Sequence, residues 1–354
     1  CKELEKTNTK NQFLIFVTKS YYDEIKPFKI NPNIKYKVKS NIFSKILLRL
    51  FWMQFILPFE LKIVGAKKLY SPMNFSPLLL KYFKIPTVLA LHSNLPWVYF
   101  NLMPGNTFRN LLTKKIMELS IQNCKTLIVD SFFAKKEISE ILKVDKNKIE
   151  VIYLGINNKY LLQSKNNNLI KNFDYKQKYI LSILSCVRYH NIIKMLKGFK
   201  YYLNENNIKI KFVLVLQILD KSYFVEIKNY IRDNFKNNEI ILFNNINSEY
   251  LLNLYKQAQM YIFSSYCEVF GLTSLEAMSQ GCPVLISKNS ALPEINSDAC
   301  DYFNPDNEKE IKDKIYQILN DNNYKNNLIN KGLIHVKNFT WKNNLGNTLA
   351  IVEK

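Results

Sequence analysis

The run from Tyr261 to Ile286 limits the possible folds more than any other stretch of this chain. Met260–Ser264 and Val284–Ser287 are short, continuously apolar runs, and Thr273–Gln280 between them has helical character. Two such strands joined by a helix read as part of a parallel sheet covered on both faces. The loop after the first strand carries Glu268 at the strand's carboxyl end, where open α/β sheets take their ligands. Glu276 follows eight positions later, one turn into the helix. The start of that helix offers unpaired N–H groups and a positive dipole end to a diphosphate. Glu276 stands near enough to accept hydrogen bonds from a ribose.

The same alternation runs through the chain twice. Strand-like runs at Phe13–Thr18, Lys35–Lys39, Leu69–Ser71, Thr87–His92, Thr126–Ser131 and Ile149–Leu154 are interleaved with helical patterns near Phe43–Leu57, Thr107–Asn123 and Ala134–Leu142. A second series has strands at Tyr179–Ser185, Phe212–Gln217, Ile240–Phe243, Met260–Ser264 and Val284–Ser287. Its helices lie near Ile192–Asn204, Lys221–Lys236, Ser248–Gln257, Thr273–Gln280 and Lys309–Asp321. The fold class is α/β, with two doubly wound parallel-sheet domains facing a cleft. A length of 354 residues is enough for two cores. The expected division is 1–158, 159–335 and a terminal helix over 336–354, with the boundary in the Asn- and Lys-rich stretch from Gly155 to Asn172.

The carboxylate pair, the Phe270-Gly271-Leu272 between them and the Glu276-Ala-Met…Gly281-Cys-Pro283-Val that follows resemble the Glu-(seven residues)-Glu motif of the retaining group 1 glycosyltransferases. Those enzymes have the GT-B fold, two Rossmann-like domains. The resemblance implies that Glu268 contacts the donor sugar and supports charge at the anomeric centre. Glu276 binds the ribose, and the backbone of Phe270, Gly271, Leu272 and Thr273 faces the sugar and phosphates. It also implies that His92, closing Thr87–His92, points into the cleft toward the donor sugar. A structural His at a strand end is the other reading. Thr273-Ser274-Leu275-Glu276 has the form of a capping box as well, and the two roles for Glu276 can coexist.

In that family an Arg and then a Lys grip the diphosphate. Here Ser185 stands at the Arg position and His190 at the Lys position, leaving Arg188 and Lys194 as substitutes. A bidentate Arg holds phosphate well, whereas His190 would make binding pH-dependent. Glu294, in Ala291-Leu-Pro-Glu294, matches a position beside the nucleotide base or is a solvated loop acid. Ser131 reads first as a helix cap and Lys135 as a surface residue. A terminal helix that crosses back to the first domain would bring Trp341 near the hinge; a core-filling Trp is equally compatible. The chain opens with Cys1-Lys-Glu-Leu-Glu-Lys, like the end of a helix, and shows neither the opening strand nor the glycine-rich loop of the family. The expectation is a partial chain that lacks about one strand-and-helix unit.

The net charge of +21 calls for an acidic partner, with the Lys scattered along the chain. No zinc spacing or RNA-binding signature is present, so no nucleic acid is expected. The charge is either a solvated surface or a means of docking on an anionic membrane. The six Cys form no Cys-x-x-Cys pair and read as reduced thiols, with Cys267 a packing residue or a reactive neighbour of Glu268. No signal peptide is visible. Ile46–Phe59 is strongly apolar but interrupted by Arg49 and Gln54, and it is either a core helix or an interfacial one anchored by Trp52.

The expected activity is a retaining, metal-independent glycosyltransferase of cell-envelope polysaccharide synthesis. It would use a nucleotide-diphosphate-sugar donor, no cofactor and a saccharide or lipid-linked acceptor, in the cytoplasm, either free or peripheral at the inner face of the plasma membrane. The alternatives are a nucleotide-sugar epimerase or phosphorylase on the same scaffold, and a degenerate or truncated sugar-nucleotide-binding module.

Overall fold

The computed structural model describes residues 2–161, 169–171, 173–206, 209–236 and 238–354. Much of the expected boundary stretch, and Cys1, lie outside the described residues. Among the described residues there are three parallel sheets. The first pairs β1 (Phe13–Thr18) with β2 (Ile34–Lys39). The second holds β3 (Leu69–Ser71), β4 (Thr87–Leu91), β5 (Thr126–Val129) and β6 (Ile149–Val151) in sequence order. The third contains β7 (Tyr179–Cys186), β8 (Lys211–Ile218), β9 (Ile240–Asn244), β10 (Met260–Phe263), β11 (Val284–Ser287) and β12 (Asp301–Phe303).

The third sheet has the order β12-β11-β10-β7-β8-β9. Its strands run outward from β7 in one direction and from β10 in the other, so the topological switch falls between those two. In a doubly wound sheet that is where loops diverge and a ligand crevice opens. The central strands β7, β8, β10 and β11 are almost wholly buried, as a sheet covered on both faces requires. A continuous core surrounds this sheet, and a separate one lies beneath β4 and β5.

Several elements differ from the sequence expectation. β12 and the helix Asn322–His335 carry no clear sequence signal: three strand residues are too few to show a period, and half of the helix is Asn and Lys. The apolar run after residue 43 is not one helix that stops at Pro58. It is α-helical over Ile46–Phe51, π-helical over Trp52–Ile56 and α-helical again over Leu57–Ile63. Pro58 falls in the first turn of the resumed α-helix, where its missing N–H costs little.

The last helix, Trp341–Val352, lies against the second sheet. Ile351 and Val352 pack on Val88, Ala90, Ile128 and Ile152, and Lys68 Nζ donates to the Val352 carbonyl at 2.7 Å. Gly155 lets the chain pass this closely, because a Cβ there would stand 2.2 Å from the Trp341 nitrogen. Trp341 is 36% exposed and so is not a core-filling residue.

Candidate active site

A cavity of about 620 Å³ opens at the switch point between β7 and β10. The second sheet contributes His92, Ser93, Asn94 and Leu95, which follow β4. The third sheet contributes Ser185 near the end of β7, His190 after it, and Glu268, Gly271, Leu272 and Thr273 after β10. The cavity is therefore walled from both halves of the chain.

Glu268 owes its position to main-chain bonds. Its N–H donates to Ser290 Oγ at 2.9 Å, and its carbonyl accepts from Ala291 N at 3.1 Å. The carboxylate is left over for chemistry. Gly271 has φ +91°, a left-handed conformation open to glycine, and it begins the helix Leu272–Ser279 with no side-chain cap. The capping box is thus not formed. The first N–H groups of the helix stand where Leu272 and Thr273 line the cavity.

His190 is buried, at 7% exposure. Its Nδ1 is 2.7 Å from the Ser185 carbonyl, an acceptor, so Nδ1 carries the hydrogen. Nε2 stands 3.3 Å from Glu268 Oε1, an ion pair whenever the ring is protonated.

His92 reaches the cavity from the other side, with Nδ1 held 2.9 and 3.0 Å from the two oxygens of buried Asp130. The register Leu91↔Val129 between β4 and β5 makes these two residues neighbours. Burial pulls the imidazole down, but the hydrogen bond and charge of Asp130 outweigh it and hold His92 above its ordinary value. The stability drawn from protonated His92 is full below about pH 6.5 and is lost as pH rises through the raised value. Asp130→Asn keeps the shape and removes the charge, so burial acts alone. His92 should then titrate below about 6.5 instead of above it. Imidazole proton NMR reads this, and an unmoved titration would separate Asp130 from His92. Asp130 was missed in the sequence because it needs the strand pairing to be known.

Five expected residues do not line the cavity. Phe270 is buried between Tyr153 and Phe339, drawn in by aromatic packing. Glu276 turns its carboxylate to Tyr255, whose hydroxyl donates at 3.2 Å, and lies beside Tyr160. Burial pushes its carboxyl up to about 7. Arg188 forms a forked pair with Glu226, 3.0 Å for Nη1–Oε2, and lies over the Tyr223 ring. Lys194 is held by Asp306 at 2.5 Å. Carboxylates on neighbouring elements pair with both cations, and neither lines the cavity. Among the described residues no Lys or Arg lines the cavity.

Glu294 was expected beside a nucleotide base. Its carboxylate instead accepts from Phe132 N and Phe133 N, both at 2.7 Å, and from the Tyr153 hydroxyl at 2.9 Å. The open N–H groups of the helix Phe132–Leu142 draw a carboxylate more strongly than solvent does. Ser131 completes that start by accepting from Ala134 N at 3.1 Å, and Lys135 donates to the Ile149 carbonyl. Cys267 is buried beside Asn94, and burial pushes its thiol up to about 12, so it is a packing residue.

Residues 164–334 match the family Glycosyl transferases group 1, and residues 20–160 match Glycosyltransferase Family 4. The two matches adjoin and together take in most of the sequence. The chain belongs to the group 1 glycosyltransferases. Among curated proteins the chain is 24% identical over 230 residues to the O-antigen chain mannosyltransferase RfbU of Salmonella typhimurium, covering 65% of this chain and 60% of that protein. It is 26% identical over 233 residues to the O-antigen chain mannosyltransferase B of Escherichia coli, covering 65% and 61%. The chain therefore spans about 60% of the length of these relatives. A glycosyltransferase crystal structure from Rickettsia africae superimposes with a TM-score of 0.70 at 19% identity, over 97% of this chain and 89% of that one. The fold of the chain is GT-B.

Proposed function

We propose that this protein moves a sugar, with retention and without a bound metal ion, from a nucleotide-diphosphate donor to a saccharide or lipid-linked acceptor in cell-envelope polysaccharide synthesis. The working division is 1–158 for the acceptor side, 159–335 for the donor side and 336–354 for the crossing helix. The site of action is the inner face of the plasma membrane. The observation that carries this reading is the meeting of His92 and Glu268, from opposite sheets, across one cavity floored by a helix N-terminus. The names of the O-antigen relatives support a hexosyl donor, mannosyl first among them, and a saccharide acceptor.

Each part then has a task. The departing diphosphate takes its hydrogen bonds from the first N–H groups of the helix Leu272–Ser279 and its charge balance from His190. His92, oriented by Asp130, holds the sugar. Glu268 supports the positive charge that grows at the anomeric carbon. Glu276 lies one turn beyond Thr273 on the same helix; the family resemblance gives it the ribose, a role it takes only by releasing the Tyr255 hydroxyl and turning toward the cavity.

The test is acceptor-dependent release of nucleoside diphosphate, screened over nucleotide sugars. Product anomer is read by NMR and chelator sensitivity in parallel. Release that needs no acceptor, or that needs inorganic phosphate, would select an epimerase or phosphorylase instead. That no Lys or Arg lines the cavity among the described residues favours one second reading, a sugar-nucleotide-binding module without turnover. Thermal protection by nucleotides with no release under any condition would establish it.

Glu276→Gln tests the ribose contact. Donor affinity should fall about tenfold, the scale of losing one charge-assisted hydrogen bond. Unchanged nucleotide protection would end the ribose role. The folded-state pKa of Glu276 is raised, so the wild type loses stability as pH climbs from about 4.5 through about 7. The Gln variant should lack that decline.

A further inference from the structure

Between residues 25 and 117 the sequence has fifteen Lys and Arg and a single acid, Glu60. Most of the chain's +21 therefore sits in this region, a clustering set by where the acids are missing. Glu60 adds nothing to the outer surface: Lys39 and Lys37 hold its carboxylate at 2.5 and 2.9 Å, and Trp52 Nε1 lies 3.4 Å away. Trp52 itself is buried against Phe16 and Phe43 and is no surface anchor, contrary to one sequence reading.

The helical run Ile46–Ile63 has two unlike faces. Leu50, Trp52, Met53, Leu57 and Leu61 are built into the core. On the outside Leu47, Phe51, Phe55, Phe59 and Ile63 are 64, 56, 58, 52 and 84% exposed. They recur at every fourth position. In a plain α-helix such a row drifts by about 40° per step and winds away from any flat surface. The wider π turn over Trp52–Ile56 works against that drift, and the Phe51 and Phe55 rings lie 5.2 Å apart. The row continues onto Lys81–Lys84 through Phe59, whose ring is 5.3 Å from Phe83. Exposed Lys45, Lys62, Lys81 and Lys84 border it, with Tyr82 73% exposed among them.

We propose that this face docks the protein on an anionic lipid bilayer. An aromatic row enters the boundary between headgroups and acyl chains, and the bordering Lys meet lipid phosphates. A second copy of the chain would bring two Lys borders together and be repelled, and a nucleic acid could stack bases on the three Phe rings but offers nothing to Leu47 and Ile63 at the ends of the row. The inner face of the run is committed to the core, and among the described residues no helix is long and apolar enough to cross a membrane. The run therefore lies in the membrane plane. The docking face rests on the proposed lipid-side reaction for its purpose, but its binding is measured without turnover.

The test floats the full chain with phosphatidylglycerol vesicles and with phosphatidylcholine vesicles, at low and physiological salt. The protein should float with the first and not the second. Phe51→Ser, Phe55→Ser and Phe59→Ser together should cut the bound fraction by about tenfold or more. Lys45→Gln, Lys62→Gln, Lys81→Gln and Lys84→Gln together should cut it several-fold and remove its salt dependence. All seven side chains are exposed, so the unfolding midpoint and nucleotide protection should hold in both variants. Failure of the wild type to float with phosphatidylglycerol would overturn the proposal, and so would equal flotation of the aromatic variant. A dimer in sedimentation that the aromatic variant turns into monomer would reassign the face to self-association. Loss of turnover on a water-soluble acceptor with flotation intact would count against the proposed reaction and leave the docking face standing.

Discussion

Glu268→Gln should lower kcat by about 10²- to 10³-fold, the scale of losing one preorganised electrostatic contact at a reacting centre, with a change in donor KM of only about threefold. The substitution is a fair test because the loop does not depend on the carboxylate. Its shape is set by Glu268 N on Ser290 Oγ, by Ala291 N on the Glu268 carbonyl and by Cys267 N on Ser265 Oγ. Glutamine keeps the volume and one acceptor oxygen and loses the negative charge. That charge faces two partners: the His190 ring, 3.3 Å away, and the cavity. If Glu268 only neutralised His190, its loss would leave a more positive cavity and tighten diphosphate binding without slowing transfer. A rate within about threefold of wild type would therefore remove Glu268 from the chemistry, since even one general catalytic group is worth far more.

The pattern that placed Glu268 was legible because it is local. A buried strand, an acidic loop and a helix start within one short run put the carboxylate at the rim of a parallel sheet, whatever surrounds it. Most strands were equally legible, since buried parallel strands are nearly unbroken apolar runs. The partners of the remaining site residues were not, because they depend on pairings across the chain. Arg188 is held by Glu226, thirty-eight residues away. Lys194 is taken by Asp306, one hundred and twelve residues away. Asp130 went unnoticed beside His92 because only the β4–β5 register makes them neighbours. The π segment over Trp52–Ile56 has no sequence period of its own, so the outward aromatic row was hidden inside what read as an ordinary apolar helix.

Glu294→Ala should destabilise the protein by about 2 kcal/mol and loosen the hold of one half of the chain on the other. Glu294 belongs to the helix Leu292–Asn296 that follows β11, whereas all three of its donors come from before residue 155. Without the carboxylate, two N–H groups at the start of Phe132–Leu142 and the Tyr153 hydroxyl lose their acceptor. A negative charge also leaves the positive end of a helix dipole, worth roughly a further 0.3–1 kcal/mol. Burial, with the hydrogen bond and charge of Glu294, pushes the Tyr153 hydroxyl up to about 12. In the variant only burial remains, so Tyr153 should titrate at lower pH, which ultraviolet titration detects. His92 and Glu268 stand on opposite sides of the cavity, so a looser join should also weaken donor protection although Glu294 touches no part of the cavity wall. Small-angle scattering should show a larger radius of gyration, and Glu294→Gln, which keeps one acceptor, should fall between wild type and alanine. If the alanine variant unfolds at the wild-type midpoint with an unchanged scattering profile, the contact is incidental, and the two halves are held by their other contacts, among them the Trp341–Val352 helix with its seat against Gly155 and the Cys267–Asn94 pair.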